Sequence, residues 1–207
     1  VLNQGQREKL AASAQIVRNF AKGSDAVYGI NTGFGPLCST KISPDETAQL
    51  QHNLLMSHSV GVGSPIPQQT AKLMLILKVH ALAQGFSGIS LPTLDRILWH
   101  IDQDIIPVVP KQGSVGASGD LAPLSHLFLP LIGLGQVHYK GKVVPTPEML
   151  QKEGLTSLQL QPKEGLALIN GTQFITAFGV EVTDRLQACL SQADLIGGMM
   201  IEGLLGS

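Results

Sequence analysis

Apolar residues recur every three or four positions along most of this 207-residue chain, and this spacing constrains the fold more than any other feature. It marks one face of a helix over Gln6–Ala21. The tetrapeptide Ser43-Pro44-Asp45-Glu46 has the residues of a capping box and predicts a second helix that runs toward His58. Further helices are predicted over Gln68–Gln84, from Ser90 through Ile101, over Leu121–Leu131, from Thr146 to near Gly154, and from Ala177 onward.

Only one stretch alternates with the period of a β-strand. Gln136–Val144 contains a Lys-Gly pair between two short alternating runs, which predicts a β-hairpin. A two-stranded ribbon does not carry a fold by itself. The expected fold class is therefore mainly α, a helical domain with one small β-hairpin. Because no repeat or linker divides the sequence, we predict a single domain over residues 1–207.

Charge is scarce and balanced. Charged residues make up 14% of the chain, against about 25% in typical soluble domains. The formal net charge is −1, so no basic excess attracts nucleic acid. Leu195–Leu205 is apolar almost all round, which is typical of a helix buried in a larger helical body. The low charge content predicts either extensive self-association or a piece of a larger body, and this helix favours a chain truncated within it. A frayed tail is the alternative.

Several features bear on compartment and cofactor class. No run approaches the roughly 20 unbroken apolar residues of a membrane span, and residues 1–22 are too polar for a signal peptide. Cys38 and Cys189 form neither a metal-type spacing nor a disulfide framework. The histidines show no ligand spacing either. We therefore expect a cytoplasmic protein that has no metal site and no membrane or nucleic-acid partner.

Two glycine-rich segments, residues 28–36 and 113–120, have the pattern of neither helix nor strand. Glycine weakens regular structure, so such clusters need a reason. Neither segment matches a phosphate-binding glycine motif. Around Ser118 the sequence also lacks the second glycine of the G-x-S-x-G nucleophile elbow. An ordinary turn-rich loop stays open as the alternative for each segment.

The segment Gly113–His126 closely resembles the signature of the aromatic amino-acid ammonia-lyases. Three other segments resemble motifs of that family in the same order along the chain. They are the tyrosine loop at Tyr28–Gly35, the substrate-selecting segment at Gln51–Gly63 and the asparagine segment at Glu164–Gln173. The resemblance covers essentially the whole chain. It implies the N-terminal part of a larger helix-bundle enzyme of the aspartase/fumarase type, assembled as a homotetramer.

The resemblance also implies a cofactor made from the chain itself. In that family an Ala-Ser-Gly tripeptide cyclises with loss of two waters to 4-methylidene-imidazol-5-one (MIO), which assigns this role to Ala117, Ser118 and Gly119. The Gly119 nitrogen must reach the Ala117 carbonyl carbon, and two small residues permit that bend. Ser118 supplies the hydroxyl whose loss leaves an electrophilic methylidene. Asp120 is assigned to supporting the cyclised loop, with helix capping as the alternative.

Three further residues receive roles from the resemblance. Tyr28 is the candidate general base for the β-proton, with a packed aromatic as the alternative. His58 follows Ser57 as in the histidine-specific branch of the family and would hydrogen-bond an imidazole substrate. The alternative for His58 is a helix-terminal histidine with satisfied hydrogen bonds. Asn170 would bind the MIO ring or the amine adduct, with a turn-forming asparagine before Gly171 as the alternative.

The implied reaction converts L-histidine into urocanate and ammonia. A tyrosine or phenylalanine ammonia-lyase and an MIO-dependent aminomutase stay open, because tyrosine-specific relatives also carry a histidine in the substrate-selecting segment. A non-catalytic helical module is the alternative from a different class. Family members are more than twice as long as this chain and draw each active site from three subunits. We therefore expect the 207-residue chain alone to have little or no lyase activity.

Overall fold

A computed structural model describes residues 2–33, 42–116 and 119–206 of the chain. Within these ranges α-helices dominate, so the predicted mainly α fold is confirmed. The helices are α1 Gln4–Lys22, α2 Pro44–His58, α3 Gln68–Leu82, α4 Leu91–Asp102, α5 Leu121–Phe128, α6 Thr146–Lys152, α7 Glu164–Ile169 and α8 Gln173–Gly203.

The predicted hairpin is present, but the prediction of a single hairpin was incomplete. The described strands are β1 Val62–Pro65, β2 Ile106–Pro107, β3 Pro110–Gln112, β4 Gln136–Tyr139 and β5 Lys142–Pro145. Strands β4 and β5 form the hairpin, β2 adds to β4 as a third antiparallel strand, and β1 pairs with β3. The additional strands have two to four residues and contain proline, so they are too short to show an alternating pattern.

The helix boundaries follow local capping chemistry. The Ser43 side chain accepts a hydrogen bond from the Glu46 amide at the start of α2, as the capping box predicted. The helix α3 ends before Gly85, which adopts φ +80°. The helix α5 ends at Phe128, three residues earlier than predicted, and a 3₁₀ turn continues to Ile132. Pro130 explains the change because it has no N–H for an α-helical bond.

The core positions the start of α5, the end of α7 and the start of α8 beside one another. Helix α3 packs against α4 and α8, while α7 packs against α2 and α5. Fully buried apolar side chains fill the space between these elements, among them Leu55, Met74, Leu94, Leu124 and Leu168. Because α7 is enclosed by two helices, the residues that follow it are held in a fixed place.

The helix α8, predicted to be buried within a larger helical body, is mostly exposed among the described residues. Ala177 is its one buried residue, whereas Leu190 and Leu195 are 58% and 66% exposed. A helix that is apolar on all sides is buried only where neighbours surround it. Within the described chain the residues of α8 that are at least partly buried lie between Gln173 and Glu181, apart from Gly197. Among the described residues, no helix combines the length and the apolar character required to cross a membrane.

Candidate active site

The residue before the proposed ring-forming tripeptide, Gly116, and the last residue of the tripeptide, Gly119, are held together. Ala117 and Ser118 themselves lie outside the described residues. Gly116 and Gly119 form an antiparallel bridge, in which the Gly119 amide donates to the Gly116 carbonyl at 3.0 Å. Gly119 has φ +112°, and a Cβ there would lie 2.6 Å from the Gly171 oxygen. This position therefore requires glycine for its conformation and for its space.

Asp120 connects this turn to two neighbouring elements. It occupies the N-cap position of α5, but its side chain makes no capping hydrogen bond there. Its Oδ2 instead accepts from the Ile175 amide at 3.0 Å, in the first turn of α8. Its amide donates to the Gly171 carbonyl at 2.7 Å. Asp120 is fully buried, and Oδ1 has no hydrogen-bond partner among the described residues.

Asn170 is fixed through its backbone while its side chain is exposed. It is the C-cap of α7, and its amide donates to the Leu166 carbonyl at 3.0 Å. Its own carbonyl accepts from Lys78 Nζ at 2.8 Å. The Asn170 amide group is therefore presented on the surface beside the Gly119 turn, because Gly171 touches that turn directly.

Lys78 is a member of this site that the sequence analysis missed. It lies on α3 and is only 2% exposed. Burial lowers the pKa of Lys78 to about 7, and attraction to the Asp120 carboxylate opposes this shift. A signal was present in the sequence: Lys78 is four residues from both Met74 and Leu82, which are buried, so helical periodicity assigns it to the buried face.

The Tyr28 loop packs against the helix that leads to Asn170. Gly29 adopts φ +75°, and a Cβ there would lie 2.5 Å from a Leu166 methyl group on α7. Asn31 holds the loop in shape, since its side chain accepts from the Val27 amide at 2.8 Å. The Tyr28 side chain is 53% exposed, which leaves it accessible from solvent.

The ring of His58 has a defined orientation at the end of α2. Its Nδ1 lies 2.9 Å from the Leu54 carbonyl and 3.1 Å from the Ser57 hydroxyl. A carbonyl oxygen only accepts, so Nδ1 carries the hydrogen in the neutral ring. The Nε2 atom then carries the lone pair and is the ring acceptor. His58 is half-buried, consistent with a group at the edge of a binding site.

Two further side chains connect the predicted motifs to one another, and the sequence analysis assigned neither. Gln51 is fully buried on α2, and its Oε1 accepts from the Gly165 amide of α7 at 2.9 Å. His126 on α5 accepts from the Gly61 amide at 3.0 Å through Nε2. Burial lowers the pKa of His126, which favours the unprotonated ring that this bond requires.

The structure thus brings some predicted residues into direct contact and only places others nearby. Gly119 and Asp120 contact the Asn170–Gly171 segment. Tyr28 and His58 lie on elements that pack against α7 and α5, and their catalytic roles stay predictions. Within the described ranges, no three histidine, cysteine, aspartate or glutamate residues form a group able to hold a metal ion.

A mainly α domain with these motifs is typical of one class of enzymes. The chain belongs to the aromatic amino acid lyase family, whose family model matches residues 1–207. Histidine ammonia-lyase from Stigmatella aurantiaca is 47% identical over 199 residues, which are 96% of this chain and 39% of that protein. The crystal structure of histidine ammonia-lyase from Trypanosoma cruzi superposes with a TM-score of 0.92 at 37% identity, covering 100% of this chain and 40% of that one.

A second functional class is represented among the similar structures. Tyrosine aminomutase from Streptomyces globisporus superposes with a TM-score of 0.91 at 34% identity, covering 98% of this chain and 38% of that one. The chain spans about 39% of the length of the curated relatives it matches.

Proposed function

We propose that the full-length protein eliminates ammonia from L-histidine to give urocanate. Family membership and the 47% identity to a histidine ammonia-lyase support this reaction. The observation that carries the proposal is the Gly119 position, which combines φ +112° with contact to the Gly171 backbone. Gly119 is also the last residue of the Ala117-Ser118-Gly119 tripeptide, where the absence of a Cβ permits the bend that ring closure needs.

The described residues fit an MIO group formed from Ala117, Ser118 and Gly119. Ring closure joins the Gly119 nitrogen to the Ala117 carbonyl carbon, and the Ala117 oxygen and the Ser118 hydroxyl leave as two waters. Once formed, the group supplies an electrophile that unmodified side chains lack. The bridge holds Gly116 and Gly119, the described residues on either side of Ala117 and Ser118, next to each other. Closure consumes the Gly119 amide hydrogen, so its bond to Gly116 belongs to the open chain.

The remaining site residues would bind the substrate and move its protons. The Nε2 lone pair of His58 suits an imidazole N–H, because the Leu54 carbonyl already takes the Nδ1 hydrogen. The exposed phenol of Tyr28 is the proposed base for the β-proton. The exposed Asn170 amide would orient the amino group near Gly119, with its backbone held by Lys78.

The test combines intact mass with turnover on the full-length protein. The wild type is expected to be two waters lighter than its sequence mass and to release urocanate and ammonia from L-histidine. Ser118→Ala removes the hydroxyl, so both the methylidene and the turnover should be lost. Ser114→Ala, an exposed serine of the same loop, is the matched control and should behave as wild type. A wild type of full sequence mass that does not consume histidine would refute the proposal.

The second candidate is an MIO-dependent aminomutase, favoured by the 34% identity to a tyrosine aminomutase. Incubation with L-tyrosine and L-histidine separates the two reactions. A lyase releases ammonia and an unsaturated acid, whereas a mutase yields a β-amino acid and retains the nitrogen. Detection of a β-amino acid as the main product would replace the histidine lyase assignment.

We further propose that residues 1–207 form one domain of a cytoplasmic homotetramer. The 14% charge content and the exposed apolar side chains of α8, such as Leu195 and Met199, support extensive self-association. Light scattering on the full-length protein should give four times the chain mass. The isolated 207-residue chain should show little or no urocanate formation, and robust turnover by it would contradict this expectation.

A further inference from the structure

We propose that Lys78 is a positioning residue of the active site, whose buried ammonium holds the Asn170–Gly171 segment in place for ring closure and for substrate binding. This inference rests on the proposed function, since it concerns the same MIO-forming segment. Lys78 carries out no chemical step. It acts on the ring-forming turn through the residues that touch it.

The geometry connects Lys78 to Gly119 in two steps. Lys78 Nζ donates to the Asn170 carbonyl at 2.8 Å. The next carbonyl, that of Gly171, accepts from the Asp120 amide at 2.7 Å and lies against Gly119. A shift of the Asn170–Gly171 segment would therefore displace the backbone that the Gly119 turn packs against. It would also displace the Asn170 side chain.

Charge reinforces the hydrogen bonds. Asp120 is the carboxylate whose attraction favours the charged form of Lys78. The Oδ2 atom of Asp120 accepts from the Ile175 amide in the first turn of α8. The contact of Lys78 itself is with the end of α7, the helix that precedes Gly171.

The position is not explained by packing. Burying an ammonium carries a large desolvation penalty, and an apolar side chain of similar volume is often neutral or stabilising at such sites. On the same helix, Lys72 forms an ordinary surface pair with Asp104 at 2.6 Å. The contrast indicates that the ammonium of Lys78 serves its hydrogen bond to the Asn170 carbonyl, and not the stability of α3.

The decisive comparison is Lys78→Met against Lys72→Met in the full-length protein. Each variant keeps the aliphatic stem of its lysine and removes the ammonium. We measure the melting temperature, the fraction of chains two waters lighter than the sequence mass directly after synthesis, and kcat and KM for L-histidine. Lys78→Met should remain folded but close its ring about 100-fold more slowly, the scale expected for a small misplacement of reacting groups. Lys72→Met should match wild type in ring closure and turnover.

Lys78→Arg retains the charge and provides the second test. It should recover ring closure to within about tenfold of wild type, because a guanidinium also donates to a carbonyl and attracts a carboxylate. Should Lys78→Met fail to fold, Lys78→Arg decides alone: a folded Arg variant with an open chain overturns the proposal. Ring closure and kcat in Lys78→Met equal to those of Lys72→Met also overturn it. In either case a wild type with a closed ring and histidine turnover leaves the proposed function intact. An open-chain, inactive wild type refutes both.

Discussion

Two fully buried carboxylates, Glu164 and Asp120, show how a structural site differs from the proposed reactive one in this molecule. Glu164 lies at the start of α7, where Oε1 accepts from the Ser90 amide at 2.9 Å and Oε2 from the Gln161 amide at 2.7 Å. Asp120 lies beyond the other end of α7, with Oδ2 bonded to the Ile175 amide and Oδ1 without a partner in the described chain.

The difference teaches what each carboxylate is for. Charge-assisted bonds to two backbone amides make Glu164 a complete junction between the loop before α4 and the start of α7. Asp120 connects elements through only one of its two oxygens. The other oxygen is buried without a hydrogen-bond partner, which costs stability. Asp120 also lies next to the residues proposed to cyclise. There the unused hydrogen-bond acceptor Oδ1 is available for the proposed chemistry.

The largest effect is expected at the turn beside Asp120. Gly119→Ala introduces a Cβ that would lie 2.6 Å from the Gly171 oxygen, so ring closure should fall by about 100-fold or more. Gly141→Ala is the matched control, since Gly141 also has positive φ but nothing lies within 4 Å of its Cβ position. Intact mass of the full-length variants separates the two, and a closed ring in Gly119→Ala would contradict the proposed turn.

His100 is another buried ionisable group with a structural role. Its contribution to the free energy of unfolding depends on pH. Burial lowers the pKa of His100 to about 4 from 6.5. Between these values the unfolded chain binds a proton that the folded chain does not, so stability falls as pH drops from 6.5 to 4. The expected loss is about 3 kcal/mol. Urea denaturation at several pH values measures it, and His100→Asn should flatten the dependence. A slope unchanged in that variant would assign the loss to other groups.

The direct test of the comparison is the pair Glu164→Gln and Asp120→Asn. Glu164→Gln sets an NH₂ group against a backbone N–H, so unfolding should become easier by about 2 kcal/mol while the folded fraction still closes its ring. Asp120→Asn can keep the bond to Ile175, so its stability should change less. Its ring closure should slow by about tenfold or more, because the charge that attracts Lys78 is lost. Denaturation measures the stability of both variants, and intact mass measures their ring closure. Equal stability and equal ring closure would remove the distinction between Glu164 and Asp120.

The smallest effect is expected at the surface pair Lys72–Asp104. Their side chains are 35% and 60% exposed, and solvent screens their attraction. Asp104→Asn removes the charge, and asparagine, like aspartate, tolerates the φ of +53° at this position. The free energy of unfolding should change by about 0.5 kcal/mol or less. A much larger change would show that a surface charge in this fold contributes as much to stability as a buried one.

Local signals predicted much of the fold because capping and periodicity act within one or two helical turns. Ser43 and the Lys-Gly hairpin turn were predicted correctly for this reason. The strands β1, β2 and β3 were missed because their partners are distant in sequence. The burial of Lys78 was missed although its spacing indicated it, because an isolated lysine in an apolar run is ordinarily expected to face solvent.

The sequence by itself determined the helices, the order of four motifs and the Ala117-Ser118-Gly119 tripeptide, since each depends on residues adjacent in the chain. Only the tertiary structure decided that Asp120 bonds to α8 in place of capping α5, that Lys78 reaches the Asn170 carbonyl, and that Gly119 meets Gly171. Those contacts join residues 52 to 92 positions apart in the chain. They depend on how α3, α5, α7 and α8 pack together, and no local pattern encodes that packing.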